Sequence, residues 1–187
     1  IQSVTPSPQP LTVMPPYIHY VPSEGFDVRL EFDYPSSWVF SESQIEQTHR
    51  IVIELGDLRF RTLPSPPPEE SHRVRNDFGK IFIAIMPGKP GQTPDTEVEE
   101  RKQLYSQISR ITLLKDYEIT IDGYNAGVLE YQLNDPENFT SLMFARRIFL
   151  VIDDQFYEIY YTVAEKDRGG EFEQGFEYFF KSLRIVP

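Results

Sequence analysis

His19, His49 and His72 are the only imidazoles in the chain, and there is no cysteine. Thiolate metal sites, disulfides and cysteine nucleophiles are therefore excluded, and the redox compartment is left open. No histidine has a partner at the i, i+4 spacing of a helical metal site. His19 and His72 fall in proline-rich stretches and His49 stands beside a strand start, so each reads as a solvated or capping residue. Carboxylates gather in two places. Asp95, Glu97, Glu99 and Glu100 offer the oxygen density that Ca²⁺ or Mn²⁺ prefers. They also follow Thr93-Pro94, where acidic side chains complement the positive end of a helix, and no EF-hand register is present. Asp153-Asp154 reads as a turn rather than a cation site. No metal and no cofactor is assigned.

Nucleophilic chemistry finds little support. Ser, His and Asp all occur, but no Gly-x-Ser-x-Gly elbow does. Gly169-Gly170 precedes a helix yet lacks the lysine and the spacing of a phosphate loop. Asn138-Phe139-Thr140 matches a glycosylation acceptor, which matters only in a eukaryotic secretory setting. No catalytic residue is assigned, and the chain is expected not to be an enzyme. The more informative charges are Arg146-Arg147, inside an otherwise apolar strand. Adjacent strand residues point to opposite faces. Either both lie near a strand end and reach water, or one pairs with a buried acid such as Glu158 or Glu130; a structural pair is favoured over an anion site. Trp38, Tyr17, Tyr20, Tyr124, Tyr157, Tyr160 and Tyr161 could form a recognition patch. Core packing accounts better for most of them, and residues that bind a partner are left unassigned.

The elements that would position these groups centre on residues 142–183. Leu142 to Ile152 and Gln155 to Val163 are apolar, β-branched and aromatic around Asp153-Asp154, which predicts a hairpin. The first of these strands is apolar on both faces, so the sheet must be covered above and below. Phe172, Phe176, Phe179, Phe180 and Leu183 then mark one face of a helix. Upstream, Val28, Leu30, Phe32 and Tyr34 alternate with Arg29, Glu31 and Asp33 as a half-buried strand, closed by a turn at Pro35-Ser36-Ser37-Trp38. Strands are also predicted over 50–60, 81–86, 115–121 and 124–133, with a turn at Asp122-Gly123. A helix opening at Thr93-Pro94 carries an expected apolar stripe of Leu104, Tyr105, Ile108 and Ile111. The prolines between Leu63 and Glu70 predict a surface loop.

The 187 residues suffice for one domain with a sizeable core. Residues 1–22 hold six prolines and read as an extended linker or stalk, leaving 23–187 as a single domain. The net charge of −11 lacks the basic footprint of a nucleic-acid-binding protein and suits a soluble protein or one that meets a basic partner. No run is long enough to span a membrane. The chain opens on Ile1, so membrane attachment is expected only through a segment upstream.

Four motifs in order carry a resemblance. Phe32-Asp33-Tyr34-Pro35-Ser36-Ser37-Trp38 is similar to the opening motif of the PsbP-like family. Ile121-Asp122-Gly123-Tyr124-Asn125-Ala126 is similar to that family's hydrophobic-Asp-Gly turn. Ala145-Arg146-Arg147-Ile148-Phe149, with Phe156 to Tyr161, resembles its late hairpin, and Phe179-Phe180-Lys181-Ser182-Leu183 its last helix. The resemblance spans about residues 24–187. It implies an α+β fold, an antiparallel sheet sandwiched between helices (α/β/α). Relatives include the extrinsic photosystem II subunit of the thylakoid lumen, bacterial extracytoplasmic lipoproteins and, more distantly, a Ran-binding nuclear import factor. The family supplies no shared catalytic residues, and the basic N-terminal docking segment of the plant photosystem proteins is not recognised here.

The expectation is a non-enzymatic, monomeric, extracytoplasmic accessory or assembly domain that binds a membrane protein complex, photosystem-related or not, with lipid anchoring upstream. The alternative is a small-molecule or metal-ion binding module. A hydrolase on an unrecognised scaffold is the third reading.

Overall fold

The structure is a computed structural model that describes residues 17–22, 28–54, 79–136 and 141–186. The proline-rich loop over 63–70, His72, Asn138-Phe139-Thr140, residues 55–60 of a predicted strand and residues 1–16 of the predicted linker lie outside the described residues. In chain order the strands are β1 (Tyr17–Tyr20), β2 (Leu30–Pro35), β3 (Val39–Ile45), β4 (Thr48–Glu54), β5 (Lys80–Pro87), β6 (Ile111–Ile121), β7 (Tyr124–Leu133), β8 (Met143–Ile152), β9 (Gln155–Ala164) and β10 (Arg184–Ile185). The helices are α1 (Pro94–Ser106) and α2 (Glu171–Ser182). Seven strands form one antiparallel sheet in the order β3-β4-β5-β9-β8-β7-β6, and β1-β2-β10 form a small second sheet.

The central hairpin follows from its composition. β8 and β9 pair from Met143–Ala164 to Ile152–Gln155, and Asp153 takes a left-handed φ of 52° at the turn. Both faces of β8 are covered, as its two apolar faces require. On one face α2 lays Phe172, Phe176 and Phe179 into a core with Tyr161, Ile159, Phe144 and Ile148. On the other face α1 covers Leu129, Tyr131, Ala145 and Phe149 with Val98 and Tyr105. The result is an α+β fold with a large antiparallel sheet between two helices. The Asp122-Gly123 turn has φ values of 49° and 89°, the two left-handed residues of a tight hairpin that a Gly at the second position favours.

Three local expectations are corrected, and one strand is added. Residues 17–20, assigned to the linker, form β1: Tyr17 to Tyr20 pair with Pro35 to Phe32, and Tyr20 is buried against Phe32 at 4.6 Å. Proline content had masked a short paired strand between Pro16 and Pro22. The helical stripe is also displaced. Val98 and Tyr105 are the buried residues of α1, whereas Leu104 is 49% exposed and Ile108 and Ile111 lie beyond the helix, with Ile111 opening β6. The helix stops at Gln107, before the apolar spacing does. β6 accordingly starts earlier than residue 115 and carries a bulge between Leu113 and Lys115. Finally β3 had no expectation at all, because Ser41-Glu42-Ser43-Gln44 lacks strand composition; pairing with β4 imposes it.

The α2 core is an aromatic stack. Phe176 meets Tyr161 at 4.0 Å, Phe179 meets Phe32 at 4.8 Å, and Trp38 stacks on Phe172 at 4.4 Å. Gly175 sits under the Trp38 ring, where a Cβ would come within 2.5 Å of it. Trp38 therefore packs directly on the α2 backbone. Phe176 is fully buried. Phe176→Ala is expected to cost about 3–5 kcal/mol, read as a lower chemical-denaturation midpoint; an unchanged midpoint would show that α2 does not hold the sheet.

Candidate functional site

Arg146 and Arg147 sit in mid-strand and emerge on opposite faces of the sheet. The structure brings both of the proposed acids to them. On the α2 face, Arg146 Nε donates to Glu130 Oε1 at 2.9 Å, and its guanidinium also reaches Glu177 of α2 at 3.1 Å. Tyr117 OH donates to the same Glu130 oxygen at 2.8 Å, and Lys115 stands 3.6 Å from the other oxygen. On the α1 face, Arg147 pairs with Glu158 and donates from Nε to Tyr131 OH at 3.1 Å. Arg101 of α1 lies 3.8 Å from Glu158, and the Arg147 guanidinium rests 4.3 Å over the Tyr160 ring. Glu130 and Glu158 are both buried, each beside more than one cation. The carboxylates are buried and the arginines half-buried, each with an internal partner, so they bind the sheet to its helices.

Electrostatics follow from that closure. Burial by itself lowers the Arg147 pKa, but the phenols of Tyr131, Tyr105 and Tyr160 outweigh it and the net shift is upward. Arg146 behaves alike: burial opposes its charge, while Tyr117, Glu177 and Glu130 raise it. Tyr117 is pushed up to about 12 by burial first and by its bond to Glu130 second. Tyr131 is pushed up to about 12 by burial first and then Tyr160, with Arg147 opposing.

The remaining candidates disperse. His49 is not solvated: it is buried, and its Nε2 lies 2.9 Å from Glu42 Oε1, which also accepts from Tyr20 OH at 2.6 Å. That contact joins β1 of the small sheet to the edge of the large one. His19 is exposed on β1, where Nδ1 donates to Asp33 Oδ1 across to β2 at 2.8 Å. Trp38, Tyr20, Tyr157 and Tyr161 are core residues, and Tyr160 is half-buried. Tyr17 stacks on Tyr178 at 3.7 Å, which leaves Tyr124, 39% exposed, as the tyrosine of the set facing solvent most openly.

At the start of α1, Thr93 and Thr96 exchange capping hydrogen bonds and Asp95 and Glu97 occupy the first turn, as dipole complementation requires. Glu99 is bound by Lys102 at 2.9 Å, and Glu97 accepts from Gln92 at 2.7 Å. The four acids do not converge, and among the described residues no three His, Asp or Glu side chains stand together as a cation cage. Sequence reasoning missed a shallow cavity of about 260 Å³ lined by Asp95, Val98, Glu99, Asp116, Tyr117, Glu118 and Gly127. It exists because α1 lies close on β7 at Gly127, where a Cβ would come within 2.6 Å of Val98 and 3.0 Å of the Pro94 carbonyl. The period-two alternation of Asp116 and Glu118 was the available signal.

No family model matches the sequence, and no curated protein does. Solved structures match in shape. The cyanobacterial PsbP (CyanoP) from Synechocystis sp. PCC 6803 superposes with a TM-score of 0.56 at 17% identity, over 97% of this chain and 98% of that one. The fold is PsbP-like. LpqN of Mycobacterium tuberculosis, described as involved in cell envelope biogenesis, gives a TM-score of 0.59 at 11% identity, over 91% of this chain and 92% of its own. The Ran-binding protein Mog1p of Saccharomyces cerevisiae gives 0.52 at 7%, over 91% and 96%. The PsbP-like frame thus covers nearly the whole chain, in agreement with the four motifs.

Arg147→Ala leaves the buried Glu158 with only the 3.8 Å contact to Arg101 and is expected to cost about 3 kcal/mol, whereas Arg147→Met with Glu158→Met recovers most of the loss; denaturant titration of the three proteins checks this. The raised phenols give a pH dependence as well. A tyrosine held neutral by the fold contributes its stability in full below its ordinary value of 10.0 and loses it as pH rises through about 12. The denaturation midpoint should therefore fall between pH 10 and 12, and less steeply in Tyr117→Phe.

Proposed function

We propose that the chain is a non-enzymatic accessory domain that works outside the cytoplasm and binds a protein of a membrane-associated complex. The observation that carries this reading is the likeness of the whole domain to CyanoP, joined by LpqN with its role in cell envelope biogenesis. Two features agree with it. The polar groups at the centre of the sheet are consumed by the fold, with Arg146 and Arg147 each paired to a buried acid. The net charge of −11 favours a basic protein surface over a phosphate backbone. No helix among the described residues is long and apolar enough to cross a membrane.

Fractionation of the native cells, followed by a salt wash of the membranes and identification of co-purifying proteins, tests the proposal. The expected result is an extracytoplasmic protein that travels with a membrane complex. Recovery in the cytosol without such a complex would overturn it.

A further inference from the structure

We propose that the outer edge of β6, residues 116–121, docks an extended segment of the partner protein in which lysine or arginine alternates with apolar residues. The inference rests on the protein-binding reading and gives the partner its chemistry. β6 ends the seven-stranded sheet, and among the described residues only β7 pairs with it. An edge strand presents a row of N–H and C=O groups that a further strand can use, and proteins blunt such edges with bulges and lysines. Here the protection is confined to one end. The bulge lies between Leu113 and Lys115, and the Lys115 side chain folds back over the Tyr117 ring at 4.7 Å. From Asp116 to Ile121 the register with β7 is unbroken, from Asp116–Leu129 to Ile121–Tyr124.

The side chains along this open stretch specify the occupant. Asp116 and Glu118 are exposed on the α1 face of the strand, and across the shallow cavity stand Asp95 and Glu99. Lys102 is shared between Glu99 and Asp116, at 2.9 and 3.1 Å. Asp95 and Glu118 have no ion pair among the described residues. On the opposite face Tyr117 and Ile119 are half-buried at the margin of the α2 core. An added strand would therefore set every second residue beside carboxylates and the intervening ones beside Tyr117 and Ile119. A second copy of this chain is a poor occupant, because self-pairing of this edge brings like charges face to face. A basic, alternating strand removes that repulsion and covers the apolar margin.

The test uses the whole purified chain and three synthetic peptides. One alternates lysine and valine, the second has the same composition in two blocks, and the third is the first with alternate backbone nitrogens methylated. The alternating peptide is expected to bind and to slow hydrogen exchange at amides of residues 116–121. Its affinity should fall by about tenfold or more on methylation, and likewise in the Asp116→Lys/Glu118→Lys variant, whose changes lie on exposed side chains. Absence of binding, equal binding of the block peptide, or protection away from β6 would each overturn the proposal. If the peptide fails while the double variant still co-purifies with a membrane complex, the edge assignment falls and the accessory function stands.

Discussion

Two consecutive arginines in the middle of a covered strand set the conditions for the rest of the structure. Neighbouring side chains leave a strand on opposite sides, so Arg146 and Arg147 place one cation in each of the two layers. A buried guanidinium without a partner is strongly unfavourable. Each layer must therefore supply a carboxylate at a fixed position: Glu130 from β7 for one, Glu158 from β9 for the other. These acids fix the register of the strands on either side of β8, since a one-residue slip would put each acid on the wrong face. Each covering helix then adds one charged residue, Glu177 from α2 and Arg101 from α1. Hydrophobic burial drives the helices onto the sheet, and the charges determine where along it they settle.

The same arrangement occupies the charged groups at the centre of the sheet. Its titratable groups with internal partners are used as fasteners between layers. Tyr117 and Tyr131 are neutral donors and acceptors to those fasteners, and burial keeps them neutral well above ordinary phenol pKa values. Exposed carboxylates lie at the margin of the sheet, on β6 and at the start of α1.

Much of this architecture was legible from residue order. The doubly apolar β8 required two covering layers and the phenylalanine spacing marked α2, each a local pattern with a single physical solution; the two arginines left open a water-reaching strand end or a buried acid, and the structure pairs both with acids. The failures have physical reasons too. β3 is polar along most of its length and is held by pairing with β4, a non-local interaction that propensity does not encode. β1 sits between prolines at the very end of a run that reads as extended linker, and only its pairing with β2 makes it a strand. His49 looks like any polar residue at a strand start, and its burial depends on Tyr20 and Glu42 arriving from two other strands. The acidic cavity arises where α1 crosses β6 and β7, which no single stretch of sequence reveals.

The small sheet has a mechanical consequence. β2 lies between β1 and β10, one from each end of the described chain, and both run antiparallel to it. β1 enters beside Pro35, while β10 leaves beside Leu30. A load applied between the two ends of the chain thus pulls the outer strands in opposite directions along β2. The rungs on either side of β2 are strained together in shear and not opened one after another, so the domain is braced where tension along the chain would enter it.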